Sequence, residues 1–299
     1  MQLYFPDTPD LPLPDGHMFP ATKYRLLRER LLAEGTASAS DLTPSPLATD
    51  GELAAAHCPA YIHAATTGTL SREAQRGIGL PWSETLIARA RGTIGGALAA
   101  SRCALTAGVA GQLAGGTHHA HRDFGSGFCV FNDCAVVALT LLAEREVSRV
   151  AVLDLDVHQG DGNAAILGPD PRVFVASVHG ANNFPFVKPP SDLDIGLPDG
   201  THDETYLAAA ETALDAVLAF RPDLVLYIAG VDPLAEDRLG KLAVTMSGLE
   251  ERDRRVLSRL QRAGVPVSIA IGGGYAEQIA LTVAAYANTF RVARDVFEG

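Results

Sequence analysis

The chain has 299 residues, of which 47% are hydrophobic and 20% are charged, a composition typical of a globular protein and not of a disordered one. Its net charge of −11 argues against a general nucleic-acid-binding protein, which usually carries a basic face. The same charge is compatible with cationic partners such as lysine-rich peptides or polyamines.

The beginning of the chain, MQLYFPDTPD, has no basic region followed by an apolar run, so it does not predict a signal peptide. No stretch approaches the ~18 uninterrupted apolar residues of a membrane span. The four cysteines, Cys58, Cys103, Cys129 and Cys134, lack paired metal spacing, which favours free thiols in a reducing compartment. We therefore expect a cytoplasmic protein that does not bind a membrane.

Six apolar segments predict β-strands, and four of them are rich in Val, Ile and Leu without polar alternation. That pattern is typical of parallel strands that are covered on both faces. In chain order the six segments are residues 2–5, 110–115, 149–156, 172–179, 223–230 and 266–273.

Helical patterns lie between the strand candidates, and Ser83 is the expected N-cap of the longest one. The predicted helices are Tyr24–Glu34, Ser83–Leu105, Asn132–Glu144, Asp203–Phe220, Ser247–Ala263 and Ala276–Phe290. Segments 36–50 and 180–202 contain prolines and are predicted as loops. Strands that alternate with helices indicate a doubly wound α/β sheet, and nothing divides residues 1–299 into two domains.

Ligands of open α/β sheets bind beyond the carboxyl ends of the strands. That rule directs attention to residues 154–161, 177–180, 230–232 and 272–275, where polar and glycine residues follow buried strands. The chemistry of the protein is therefore expected at this edge of the sheet.

The segment DLDVHQGDG carries Asp154, Asp156 and His158 at every second position as a buried strand ends. Such alternation places the three side chains on one side of the strand. Two buried carboxylates repel each other unless a cation neutralises them, and a carboxylate with an imidazole suits zinc. The alternative is a solvated turn in which Asp161 caps a helix.

Asp232, in AGVDP, also follows a buried strand. By itself it is explained as a turn aspartate before a proline. Together with Asp156 and His158 it completes three protein ligands, which leave a fourth position open as in catalytic zinc sites.

The segment GGTHHAHRDFGSGFC contains the adjacent residues His118 and His119. Adjacent side chains point in different directions, so the pair suits acid–base chemistry around one water molecule better than joint binding of a metal. Exposed loop histidines are the alternative. We expect His121 to be a surface residue, whereas Phe128 belongs either to the core or to a channel wall.

In IGGGY, three glycines allow the backbone to approach a ligand closely, and Tyr275 then reaches a strand end where its hydroxyl could meet a substrate oxygen. A phosphate-binding loop is the alternative, although no lysine or serine follows in the manner of a P-loop.

Taken together, GGTHHA, SGFCVFND, DLDVHQGDG, AGVDP and GGGY resemble the motifs of the zinc-dependent histone deacetylases, in this order and spacing. The similarity runs from QLYF to the final helix. The variant HQG, the segment PLPDGHMFPATKYRLLRERL and LPWSETL resemble class IV enzymes and their bacterial relatives most. The resemblance implies a single-domain arginase/deacetylase fold with a mostly parallel eight-stranded sheet flanked by helices.

It also implies roles for individual residues. The zinc ligands would be Asp156, His158 and Asp232. The catalytic residues would be the tandem His118 and His119, the carboxylates Asp154 and Asp161 that orient them, and Tyr275, which binds the substrate carbonyl. A structural potassium ion would lie near Asp154, Asp156, the His158 carbonyl, Ser177 and the Val178 carbonyl. The acyl channel would be formed by Gly127, Phe128, Phe184 and Gly273.

Two departures from the family pattern are visible. Gln159 replaces the second histidine of the common HHGDG motif, but this position is not a zinc ligand. Asn182 and Asn183 precede Phe184 beside the expected channel and bear on the substrate preference.

The resemblance predicts zinc-dependent hydrolysis of the amide of an acylated lysine side chain in a protein, or of a small acylated amine. Acetylpolyamine deacetylation and a non-catalytic module that binds acyl-lysine or a partner are the alternatives. Arginase-type chemistry shares the fold but needs two manganese ions, and the tandem histidines and Tyr275 speak against it.

Overall fold

A computed structural model describes all 299 residues and contains one sheet of eight strands. The strands are β1 (Gln2–Phe5), β2 (Leu42–Pro44), β3 (Val109–Gln112), β4 (Val150–Asp154), β5 (Val173–Gly180), β6 (Leu193–Leu197), β7 (Leu224–Ile228) and β8 (Val267–Ala270). Their order across the sheet is β2-β1-β3-β8-β7-β4-β5-β6, and every neighbouring pair is parallel.

Ten helices flank the sheet. They are α1 (Lys23–Ala33), α2 (Asp50–Leu53), α3 (Pro59–Thr67), α4 (Arg72–Ile78), α5 (Glu84–Ala107), α6 (Asp133–Ala143), α7 (Asp161–Leu167), α8 (Asp203–Phe220), α9 (Met246–Ala263) and α10 (Ile279–Glu298). None of them combines the length and the apolar character that a bilayer crossing requires.

The core consists of two hydrophobic clusters, one on each face of the sheet. Along β4, Ala151 and Leu153 belong to one cluster, whereas Val150 and Val152 belong to the other. Successive strand residues point to opposite faces, so a strand that is covered on both sides must be apolar at every position. This requirement explains the uninterrupted apolar runs of the central strands.

The expected arginase/deacetylase-type α/β sheet is confirmed, and all six predicted strands are present. Two strands are missing from the prediction, β2 and β6, because they lie within segments 36–50 and 180–202, which were expected to be loops. Both occupy the outer edges of the sheet and are only partly buried. Edge strands therefore lack the continuous apolar run by which the other strands are recognised.

All six predicted helices form, five of them with shifted ends and α8 with the predicted bounds. Ser83 is the N-cap of α5, since its hydroxyl accepts a hydrogen bond from the Leu86 amide at 3.0 Å. The last helix begins at Ile279 rather than at Ala276, whose amide donates to the Thr282 hydroxyl instead. The sequence analysis did not identify α2, α3, α4 and α7, three of which span seven residues or fewer.

Close packing fixes one glycine in the middle of α5. A Cβ atom at Gly95 would lie 2.0 Å from the Pro46 carbonyl oxygen, so the helix contacts the segment after β2 through bare backbone. Alanine is favoured over glycine by about 1 kcal/mol in a helix interior. The presence of glycine here is therefore explained by this contact.

We expect Gly95→Ala to lower the free energy of unfolding by about 1–3 kcal/mol, because overpacking outweighs the gain in helix propensity. Gly51→Ala in α2 is the matched control, since its Cβ would meet only Thr49 Oγ1 at 3.8 Å. Urea unfolding of both variants gives the comparison. Equal stability of Gly95→Ala and the parent would show that this contact does not require glycine.

Candidate metal centre and active site

Three residues converge where the loops after β4 and β7 meet. The carboxylates of Asp156 and Asp232 and the imidazole of His158 are buried, and their ligand atoms lie within 4.8 Å of one another. His158 Nδ1 is 3.0 Å from Asp156 Oδ1 and 3.1 Å from Asp232 Oδ2. Parallel strands place all these loops at one edge of the sheet, so residues far apart in sequence meet there.

The donor set fits a zinc ion. Asp232 Oδ2 is completely buried and accepts no hydrogen bond, which leaves one carboxylate oxygen for a cation. Burial and the neighbouring charge of Asp156 raise the pKa of Asp232 to about 7. Carboxylate oxygens and imidazole nitrogens both bind zinc, and three protein ligands with an open fourth position are the usual plan of a catalytic zinc site. A divalent cation would remove the repulsion between the two acids.

The glycines of IGGGY pack against the carboxylates. The Gly273 amide donates to Asp156 Oδ2 at 2.6 Å, and a Cβ at Gly273 would lie 2.0 Å from Asp232 Oδ2. Gly272 adopts a φ of +62°, which disfavours other residues. These glycines therefore let the backbone approach the acids, and the alternative of a phosphate-binding loop has no support from this arrangement.

The tandem histidines each have a carboxylate partner. His118 Nδ1 lies 2.7 Å from Asp154 Oδ2, and His119 Nδ1 lies 2.6 Å from Asp161 Oδ1. The two rings are nevertheless close neighbours, with centroids 4.1 Å apart. The expectation that they point in different directions was wrong, because the backbone turn at this point brings both rings into one pocket.

The surroundings give the two imidazoles opposite acidities. Burial disfavours the charge of His118, but the carboxylates of Asp154 and Asp156 outweigh burial and raise its pKa to about 9. Burial and the adjacent charge of His118 lower the pKa of His119 to about 4, against the effect of Asp161. One histidine therefore favours the protonated state and the other favours the neutral state.

Asp161 has a larger role than that of a helix cap. It is the first residue of α7, and its second oxygen lies 3.1 Å from His121 Nε2. His121 also stacks on Phe124 with ring centroids 4.3 Å apart. The interpretation of His121 as a mere surface residue was wrong, since this side chain is only 18% exposed and shares Asp161 with His119.

Further residues support the histidine loop, and the sequence analysis missed them. Asp133 accepts hydrogen bonds from the amides of Gly116 and Thr117 at 2.8 and 2.9 Å. His57 Nδ1 lies 2.9 Å from the His121 carbonyl, and its Nε2 accepts a hydrogen bond from the Asn132 amide. His57 and His121 are 64 positions apart in sequence, so no local pattern indicates their contact.

A cleft of about 570 Å³ leads to the histidines from the surface. Its lining includes Gly127, Phe128, Phe184 and Tyr275, together with Asn182 and Asn183. The Phe184 ring meets the His119 ring edge to face, with centroids 4.9 Å apart. Asn183 turns away, because its side chain is buried and donates to the Leu239 carbonyl. The structure therefore brings Phe128 and Phe184 to one cleft.

A smaller cavity of about 60 Å³ shares His119 and Tyr275 with the cleft. Its lining also includes Lys23, Arg89, Gly273 and His118. Lys23 is 1% exposed and donates to the Gly274 carbonyl and to the Tyr286 hydroxyl. Its ammonium group lies 4.8 Å from the centre of the Tyr275 ring. The sequence analysis missed this buried lysine because it begins an otherwise ordinary amphipathic helix.

Backbone contacts hold Tyr275 in position. Its amide donates to Asp237, and its carbonyl accepts from Arg238 at 3.0 Å. Burial, followed by the charges of Asp156 and Asp232, raises the pKa of the Tyr275 hydroxyl well above its usual range. The phenol therefore stays protonated and is available as a hydrogen-bond donor.

The remaining residues of interest lie just behind these groups. Asp154 and Ser177 are paired in register on β4 and β5, and Val178 follows on β5. The side chains of Asp154 and Ser177 are buried, and Ser177 Oγ is 2.9 Å from His179 Nδ1.

Gln159 faces away from the metal-binding candidates and donates hydrogen bonds to the Pro189 carbonyl and to Asp194. All four cysteines are free thiols, as expected.

The chain is similar in sequence and fold to known proteins. The chain matches the family model for the histone deacetylase domain over residues 17–290. It is 45% identical over 296 residues to an uncharacterized protein of Picosynechococcus sp., covering 99% of this chain and 98% of that protein. It is 33% identical over 198 residues to histone deacetylase 2 of Arabidopsis thaliana, covering 65% of this chain and 51% of that protein.

The fold is similar to that of acetylpolyamine aminohydrolase from Burkholderia pseudomallei, with a TM-score of 0.77 and 21% identity over 99% of both chains. That likeness concerns the fold, whereas the family model covers nearly the whole sequence. The chain therefore belongs to the histone deacetylase family of amide hydrolases.

Proposed function

We propose that this protein is a zinc-dependent deacylase that hydrolyses the amide of an acyl-lysine side chain or of a related acylated amine. The observation that carries the proposal is the buried cluster of Asp156, His158 and Asp232 beside two carboxylate-paired histidines at the base of a cleft. A zinc ion bound there would polarise the amide carbonyl and make a water molecule more acidic.

The tandem histidines divide the proton transfers. His119 is neutral and its Nδ1 is held by Asp161, so its Nε2 can take a proton from water. His118 favours the protonated state beside Asp154, which suits it to stabilise negative charge and to supply a proton to the departing amine. The two carboxylates fix the orientation of both rings.

Tyr275 supplies the donor for the developing oxyanion. Tyr275 lines both the cleft and the smaller cavity, and its protonated hydroxyl would donate to a substrate carbonyl bound there. Phe128 and Phe184 line the cleft and would surround an apolar acyl-lysine chain. Lys23 and Arg89 line the smaller cavity and offer positive charge to the carboxylate product.

Acetylpolyamine deacetylation is the second candidate, because the fold resembles that of an acetylpolyamine aminohydrolase. A non-catalytic binding module is disfavoured, since every catalytic position holds a suitable residue. The class IV-like motifs and a cytoplasmic location belong to the proposal as well.

Replacement of one metal ligand tests the zinc site. Asp232→Asn keeps the shape of the side chain and an oxygen for the Val157 amide, but it removes the charge that would bind zinc. We expect most of the zinc to be lost on dialysis, with the fold retained, as measured by elemental analysis and circular dichroism. Asp295→Asn, at an exposed position on α10, is the control. Full zinc retention in Asp232→Asn would reject the ligand assignment.

Tyr275→Phe tests the oxyanion donor. The ring and its packing remain, so the fold and zinc content should not change, whereas kcat should fall by about a hundred- to a thousandfold with little effect on binding. Kinetics on an acetyl-lysine peptide measure this effect. Turnover within about threefold of the parent, far below the effect of such a donor, would exclude the role.

We also propose a potassium ion near Asp154, Asp156, Ser177 and the carbonyls of His158 and Val178. The neighbourhood offers buried oxygen atoms and two acids, and burial raises the pKa of Asp154, so its charge lacks full compensation. Replacing potassium by choline at equal ionic strength should lower the unfolding temperature, and Ser177→Ala should reduce the difference. The same unfolding temperature in both salts would argue against the ion.

A further inference from the structure

The lining of the cleft differs in charge from the chain as a whole. The net charge of the protein is −11. Among the residues that line the cleft there is no aspartate or glutamate, and Lys241 is the one lysine or arginine. The charge of the cleft lining therefore has the opposite sign to the net charge of the protein.

Lys188 adds a second positive charge close to Lys241. Lys188 donates to the carbonyls of Ala181, Asn183 and Pro185, whereas Lys241 donates to the Asn182 carbonyl. These partners are neutral, and neither ammonium group lies within 4.0 Å of a carboxylate. Burial lowers the pKa of Lys188, the charge of Asp161 raises it, and the charge of Lys241 lowers it again, so Lys188 lies near both a carboxylate and a second cation.

Two arginines lie in a depression next to the cleft. A shallow depression that adjoins the cleft at Gly79 is lined by Arg72 and Arg76 of α4, together with neutral residues only. Both arginines are exposed and form no ion pair. The cleft and this depression thus present three cationic side chains and no anionic one.

The nearby carboxylates form no ion pair with Lys241, Arg72 or Arg76. Asp237, beside the cleft, accepts hydrogen bonds from the amides of Leu239, Gly240 and Tyr275. Asp199 accepts a hydrogen bond from the Asn182 side chain at 3.3 Å, and Asp161 is engaged by His119 and His121. Glu73 lies on α4 but outside the lining of the depression. Unpaired cations that lie close together produce a positive potential, which would attract a negatively charged substrate to the cleft.

We propose that the substrate carries an anionic group close to the acylated amine, and that Lys241, Arg72 and Arg76 recognise this group outside the cleft. The inference rests on the proposed deacylase function and narrows its substrate class. The inference disfavours acetylpolyamines as substrates, because their cationic amine tail would extend out of the cleft and be repelled by the same three positive charges.

The anionic group has two possible sources, acidic residues that flank an acyl-lysine in a peptide or the carboxylate of a small acylated amino acid. Two matched substrate pairs separate them. The first pair consists of acetyl-lysine peptides that differ only in flanking aspartates or lysines. The second pair is 6-acetamidohexanoate and N-acetylcadaverine, which have similar length and opposite charge.

We expect the zinc-loaded parent to prefer the anionic member of at least one pair by about tenfold in kcat/KM at low salt, and the preference to shrink as sodium chloride screens the charges. In Arg76→Gln/Lys241→Gln the ratio should fall to about one. The ratio is internal to each variant, so a partial loss of folded protein does not affect it. Arg262→Gln, at the distant end of α9, should keep the parental ratio.

Equal rates or a preference for the cationic members in the parent would overturn the inference while leaving the deacylase function intact. An anionic preference that survives in Arg76→Gln/Lys241→Gln would reject these residues as its cause. If the parent hydrolyses none of the four substrates, neither the inference nor the deacylase function it rests on holds for these acetylated amines.

Discussion

The structure depends on the burial of negative charge at the carboxyl ends of the central strands. Asp154, Asp156 and Asp232 are each at most 1% exposed and lie beside one another. Such a group is costly in a medium of low dielectric constant unless cations or hydrogen bonds compensate it. The neighbouring glycines, histidines and backbone amides are arranged to provide this compensation, and a bound zinc ion would complete it.

The same charges determine the chemistry. Burial disfavours the charge of both histidines, but Asp154 and Asp156 outweigh it and raise the pKa of His118, whereas burial and then the charge of His118 lower the pKa of His119. A pair of similar side chains therefore acquires two different roles from the charges around it. Backbone contact through Gly273 keeps the acids close to the path of the substrate, since any larger residue would collide with Asp232.

The sequence allowed much of the fold to be predicted, because strands buried on both faces are apolar at every position. The edge strands β2 and β6 have no such run, so their sequences predict loops instead. The three metal-binding candidates were found from strand-end position and alternation. Adjacency of His118 and His119 and the strand-end position of Tyr275 also indicated acid–base and substrate-binding roles, which the resemblance to a known family made specific. Contacts such as that of Lys23 with Gly274, 251 positions away, leave no local pattern in the sequence.

The most direct test of the account is the free energy of unfolding as a function of free zinc concentration. One zinc ion that binds only the folded chain should raise this free energy by about 1.4 kcal/mol for each tenfold increase in concentration above the dissociation constant. The account predicts this slope for a single site. A free energy of unfolding that does not change with zinc would contradict it.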